Sequence, residues 1–317
     1  MTYVLLIVGF ALLIKGADLF VDGASKLATL LRVSPLLIGL TIVAFGTSSP
    51  EATVSVLAAL DGSAEVALGN IVGSNIFNIT LVVGLTALIN PLKVESVTIR
   101  KEIPFTLLGS AVLLVVISDV VLQGFSENLI TRSDGFIFLL IFSVFMYYIF
   151  EVARNNREQA KPEEGAEKIP WGKNGVLTLI GLAAIIFGGE LVVRNSTEIA
   201  VSLGMSETLV GLTIVAVGTS LPELVTSITA ALKKQSEIAL GNIVGSNIFN
   251  ILFVLGAASV IAPLPVNDKI FTDIFLMLFL TVVLLVFSRT KYRIGKVEGS
   301  ILAIAYVLYL IFIIIRN

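Results

Sequence analysis

The sequence predicts an all-α polytopic membrane protein of ten transmembrane helices, built as two inverted five-helix repeats. Three observations predict it. Of the 317 residues, 56% are hydrophobic and only 14% charged, far more apolar surface than a soluble core needs. Ten apolar runs of spanning length, about 20 residues each, are separated by short polar breaks. The chain also carries two copies of one stretch at a constant offset of 172 residues, and an internal repeat of this kind dictates architecture.

The predicted spans lie at about 2–22, 33–59, 65–89, 103–122, 134–153, 174–194, 207–231, 237–261, 270–288 and 298–315. The first, MTYVLLIVGFALLIKGADLF, lacks the basic flank of a cleaved leader and reads as a span. Five spans separate equivalent points of the two copies. An odd number reverses the direction of crossing, so the halves are expected to be inverted, as in many secondary transporters. The expected units are residues 1–152, a cytoplasmic linker at 153–173, and residues 174–317. That linker is polar, charged and carries two prolines, Pro162 and Pro170.

Orientation follows from the basic residues. With the N-terminus outside, the breaks facing the cytoplasm hold 17 of the 21 Lys and Arg, leaving Arg132, Arg194, Lys269 and Arg316 on the other face. Both termini are therefore expected outside a cell membrane. A formal charge of −2 offers nothing to nucleic acid. The chain has no cysteine and no histidine, which excludes disulfides, thiolate metal sites and the commonest general base.

The first copy reads GLTIVAFGTSSPEATVSVLAAL from Gly39 and ALGNIVGSNIFNI from Ala67; the second reads GLTIVAVGTSLPELVTSITAAL from Gly211 and ALGNIVGSNIFNI from Ala239. Pro50 lacks an N–H, so the helical partner of the Gly46 carbonyl is lost and the second span is expected to break there. In hydrocarbon such a carbonyl needs water, protein or an ion. Pro222 repeats the arrangement in the seventh span. Each motif thus offers backbone oxygens, hydroxyls from Thr47 and Ser48 or Thr219 and Ser220, and one carboxylate, Glu51 or Glu223. Hard cations take oxygen ligands of this kind.

A carboxylate deep in a span costs on the order of 3 kcal/mol, which favours function over packing for both glutamates. On the following spans Asn70, Ser74 and Asn78, and likewise Asn242, Ser246 and Asn250, form polar stripes four residues apart. For Asn70 and Asn242, near a helix end, packing and ion contact both stay open. Gly69, Gly73, Gly241 and Gly245 are expected to let these helices approach their neighbours closely. Asp18 and Glu190 are equivalent by the same offset. An ion entrance and a snorkelling or packing role are both open for them.

The paired GTSxPE and GNxxGSNxxN segments resemble the α-repeats of the cation/calcium exchanger superfamily, and the whole chain is similar to its prokaryotic sodium/calcium exchangers. The resemblance implies a Ca²⁺/Na⁺ antiporter working by alternating access, with Glu51 and Glu223 shared by both ions. It implies calcium contacts from the Thr47 and Thr219 carbonyls. Flanking sodium sites would use the Ala44 carbonyl, Thr47, Ser48 and Ser74, and the Ala216 carbonyl, Thr219, Ser220 and Ser246. Asn78 and Asn250 would lie between them, and the first and sixth spans would slide as a gating pair. The lipid bilayer and the two ions are the implied partners; no cofactor and no obligatory protein partner is indicated.

The best-known prokaryotic exchangers carry an aspartate where this chain has Asn250. The amide limits the charge of the centre to −2, from Glu51 and Glu223, so a three-for-one stoichiometry is only what the resemblance implies. A calcium/proton or potassium-dependent exchanger is the alternative within the superfamily, and the hydroxyls beside each glutamate favour Na⁺. A passive channel fits broken mid-membrane helices less well. An intramembrane hydrolase lacks a GxSxG motif and a histidine.

Overall fold

Apolar helices dominate the computed structural model, which describes residues 1–159, 170–204 and 216–316. Helix α1, Thr2–Leu31, ends where Arg32 turns left-handed at φ 58°. Ser34 then caps the next helix, accepting from the Leu37 N–H at 3.4 Å, and Pro35 opens it. Helix α2, Pro35–Thr47, contains a π-helical stretch at Gly39–Val43. It stops at Ser48, and α3, Ser49–Leu60, resumes after a bend of 47°. Pro50 sits in the first turn of α3, where its missing N–H has no intrahelical partner to lose. The break that the sequence predicts is therefore present.

Helix α4, Ala64–Ile89, carries a second π stretch at Asn78–Val82. Then come α5, Glu102–Val116, α6, Arg132–Gln159, and α7, Trp171–Ser202. In the second half a single turn at Ala216–Gly218 leads into α8, Leu221–Leu232, with Pro222 in its first turn. Helix α9, Ser236–Ile261, has its π stretch at Phe249–Val254 and precedes α10, Lys269–Arg289, and α11, Lys296–Arg316.

Helix occupies the described part of all ten predicted spans. Among the described residues seven helices are long and apolar enough to cross a membrane, and the bent pair α2–α3 makes an eighth. The protein is thus a mostly helical, multi-pass membrane fold. Some boundaries differ from those expected. Helices α1 and α7 overrun their predicted spans by about two turns. The fourth span breaks at Ile117–Ser118, leaving α5 with 15 residues. The predicted linker shrinks, because α6 continues to Gln159 and α7 starts at Trp171; residues 160–169 lie outside the described residues.

Packing joins the halves. Helices α1 and α7 lie against one another along their length. A Cβ on Gly16 would meet the Gly181 carbonyl at 2.8 Å and the Ile185 nitrogen at 2.9 Å, so only glycine permits this approach. Helix α9 packs on α2 in the same way, with a Cβ on Gly241 meeting the Leu36 carbonyl at 2.5 Å. For Gly69 and Gly73 nothing lies within 4 Å among the described residues. The segment equivalent to Gly39–Val43, residues 211–215, is outside them. The end of α4 packs on α11 and the end of α9 on α6, a reciprocal exchange. Two short antiparallel clasps repeat the exchange: β1, Leu92–Lys93, pairs with β4, Arg293–Ile294, and β2, Leu129–Ile130, with β3, Leu264–Pro265.

Candidate ion-binding site

The two glutamates sit in the first turns of α3 and α8, immediately after the helix breaks, and both are fully buried. Each break turns the preceding serine away from its own helix and toward the other half. Ser48 Oγ donates to Glu223 Oε1 at 2.8 Å, and Ser220 Oγ lies 2.8 Å from Glu51 Oε1. Each serine precedes its own glutamate by one helical turn, so these crossed bonds bring the two carboxylates side by side. Ser74 Oγ is 3.0 Å from Ser220 Oγ, and Ser246 Oγ is 3.5 Å from Glu223 Oε1. Glu51, Glu223, Ser48, Ser220, Ser74 and Ser246 therefore form one buried cluster drawn from both halves.

Two asparagines, Asn70 and Asn242, tie the cluster together. Asn242 Nδ2 donates to Ser227 Oγ at 2.9 Å and to the Glu223 carbonyl at 3.4 Å, while its Oδ1 lies 3.0 Å from Thr47 Oγ1. Asn70 does the same with Ser55 at 2.9 Å, the Glu51 carbonyl at 3.2 Å and Thr219 Oγ1 at 3.2 Å. Each amide spans the turn that follows a glutamate and reaches the threonine of the opposite half. In this structure the amides of Asn70 and Asn242 serve as hydrogen-bonded ties. Thr47 Oγ1 also lies 3.3 Å from the Ala44 carbonyl. The Ala216 carbonyl stands at the edge of the described residues, in the turn Ala216–Gly218.

Asn78 and Asn250 are fully buried at the start of the π stretches of α4 and α9. Asn78 Nδ2 donates to Asn247 Oδ1 at 3.2 Å, and its own Oδ1 has no donor among the described residues. Glu51 Oε2, Glu223 Oε2 and Asn250 Oδ1 are also buried without one among the described residues. Leaving a buried polar group unsatisfied costs about 1–3 kcal/mol, more when it is charged. Four such acceptors among the predicted residues make a chemically coherent set: two carboxylate and two amide oxygens suit a hard cation. The described residues hold no group of three or more His, Cys, Asp or Glu, so any cation here must rely on neutral oxygens beside two carboxylates.

Sequence reasoning missed Ser55, Ser227, Asn75 and Asn247. Each pair recurs at the same offset of 172 residues, which is the signal that would have found them. Asn75 is fully buried, and neither amide atom of its side chain has a partner among the described residues.

Known proteins match this chain over nearly its whole length. The chain is 36% identical over 315 residues to the inner membrane protein YrbG of Escherichia coli, covering 96% of this chain and 94% of that protein. It is 34% identical over 341 residues to the sodium/calcium exchanger MaX1 of Methanosarcina acetivorans, covering 98% and 97%. The fold superposes on the solved structure of the sodium-calcium exchanger NCX_Mj soaked with 10 mM Na⁺ and zero Ca²⁺, with a TM-score of 0.84 and 31% identity over 97% of each chain. A family model described as sodium/calcium exchanger protein matches residues 1–151 and 173–315. The chain belongs to the sodium/calcium exchanger protein family: it is a multi-pass membrane transporter of the cation antiporter class and not an enzyme.

Proposed function

We propose that the protein exchanges Ca²⁺ for Na⁺ across the cell membrane by alternating access at one shared site. The observation that carries this reading is the crossed Ser48–Glu223 and Ser220–Glu51 pairing, which makes one site out of two half-sites. Two carboxylates neutralise one Ca²⁺ or two Na⁺, so the ions compete and only one kind is bound at a time. Glu51, Glu223, Asn78 and Asn250 supply the centre. The Thr47 and Thr219 carbonyls add oxygen for Ca²⁺. The Ala44 carbonyl, Thr47, Ser48 and Ser74 on one flank, and the Ala216 carbonyl, Thr219, Ser220 and Ser246 on the other, serve Na⁺.

The topology that goes with it has ten spans, residues 1–152 and 174–317 being inverted halves with both termini outside and the connector cytoplasmic. In vesicles, a Na⁺ gradient imposed with a protonophore present is expected to drive Ca²⁺ uptake, and a pH gradient imposed without protonophore or Na⁺ is not. Uptake driven by the pH gradient alone would assign proton coupling instead and defeat the Na⁺ reading. A requirement for K⁺ beside Na⁺ would identify a potassium-dependent exchanger.

A further inference from the structure

The two halves are equivalent in sequence but not in packing. Helix α1 packs against α8, whereas α7 and α3, the pair equivalent to them by the 172-residue offset, make no comparable contact. Where α1 meets the end of α8, Lys233 Nζ lies 2.6 Å from Asp18 Oδ1 and 2.6 Å from Asp22 Oδ1, and donates to the Asp18 carbonyl at 2.8 Å. Partial burial works to lower the lysine pKa, but the hydrogen bonds to Asp18 and Asp22 raise it above its ordinary value, so the ammonium stays charged.

The offset maps this cluster onto the other half with a change of sign. Lys233 corresponds to Asp61, Asp22 to Arg194, and Asp18 to Glu190. A cation on α8 facing an anion on α1 thus becomes an anion after α3 facing a cation on α7. In the structure Asp61, Arg194 and Glu190 are all exposed, and neither Asp61 nor Arg194 makes an ion pair among the described residues. Complementary charges have been kept at equivalent places while only one of the two contacts is closed. In an inverted-repeat transporter each half adopts in turn the conformation of the other.

We propose that Lys233 with Asp22 and Asp18, and Asp61 with Arg194, form a two-ended electrostatic latch on the α1–α7 pair, one end closing as the other opens. The structure holds the Lys233 end closed. On exchange of states α1 leaves α8 and α7 meets α3, so Arg194 reaches Asp61 while Lys233 is released. Glu190 then faces Asp61 as a like charge, which weakens the second end relative to the first, because the first has two attractive partners and the second one attraction and one repulsion. The latch therefore biases the equilibrium toward the state seen here. Exposed pairs of this kind shift an equilibrium by roughly two- to five-fold each, a tuning device that leaves the transition possible. The inference rests on the alternating-access reading above and extends it to charges that bind no transported ion.

The absence of cysteine from the chain makes the test direct. Two double variants, Asp22→Cys with Lys233→Cys and Asp61→Cys with Arg194→Cys, are reconstituted in vesicles and treated with a short bifunctional thiol reagent under Na⁺-loaded, Ca²⁺-loaded and ion-depleted conditions. The expected result is that both pairs link, with opposite dependence on ion condition, and that either link stops transport until it is cleaved. A second arm uses Lys233→Gln and Asp61→Asn, which should change the apparent ion affinity measured from one side by about two- to five-fold in opposite directions. The latch is overturned if the Asp61–Arg194 pair never links in a protein that still transports, or if the two charge variants move affinity the same way or not at all. Ca²⁺ flux in the unlinked protein is measured alongside. Opposed links without Na⁺-driven flux would refute the Na⁺/Ca²⁺ reading while supporting the latch.

Discussion

Glu51 and Glu223 each have one oxygen bonded by a serine of the other half and one oxygen without a donor among the described residues. That division predicts unequal consequences for nearby substitutions. Glu51→Gln or Glu223→Gln removes half the charge of the centre, and Ca²⁺ flux in vesicles is expected to vanish in either variant; transport at wild-type rates would refute a two-carboxylate site. Ser48→Ala removes a donor to Glu223 and one neutral oxygen of the proposed Na⁺ site but no charge, and should weaken ion affinity without abolishing exchange, about 1–3 kcal/mol being at stake for a lost bond to a charged group. Asn242→Ala strips partners from Ser227, Thr47 and the Glu223 carbonyl together. It is expected to lower the thermal midpoint of the detergent-solubilised protein as well as ion affinity, and a midpoint equal to wild type would show that the tie is dispensable. At this scale the sequence was informative because the motif residues recur in both copies. It could not say which Asn atoms are consumed by hydrogen bonds, since that depends on which half each amide faces, a relation between residues more than 140 positions apart.

Helix breaks do the positioning. Pro50 and Pro222 were readable as break points, because a missing N–H has the same consequence wherever it occurs. The π stretches at Gly39–Val43, Asn78–Val82 and Phe249–Val254 were not, since nothing in composition separates an i→i+5 turn from its neighbours. Two of them begin at or beside a site asparagine, in keeping with the tendency of π turns to occur at functional sites. The overrun of α1 and α7 was hidden for a different reason: apolar length marks what a bilayer covers, and a helix continues past it where packing allows. That packing makes its own prediction. Gly16→Ala places a Cβ against backbone atoms of α7, which unlike a flexible side chain cannot swing aside. A destabilisation of about 1–3 kcal/mol is expected, read as a lowered thermal midpoint. Gly175→Ala, with nothing within 4 Å of its Cβ among the described residues, should be neutral.

Across the whole molecule, the offset of 172 residues predicts a pair of equivalent halves, and the exchanged contacts of α4 with α11 and α9 with α6 agree with it. What the repeat could not reveal is where the equivalence fails. A sequence describes every state a chain adopts, whereas the asymmetry of α1–α8 against α7–α3 belongs to one of them. Within the proposed function, the central claim is that one site made from both halves serves two competing ions. Equilibrium Ca²⁺ binding to the purified protein, titrated with Na⁺ in wild type and in each glutamine variant, tests it most directly. Na⁺ is expected to displace Ca²⁺ completely from the wild type, and neither Glu51→Gln nor Glu223→Gln should hold Ca²⁺. Ca²⁺ retained at saturating Na⁺, or retained by either single variant at wild-type affinity, would contradict a shared site.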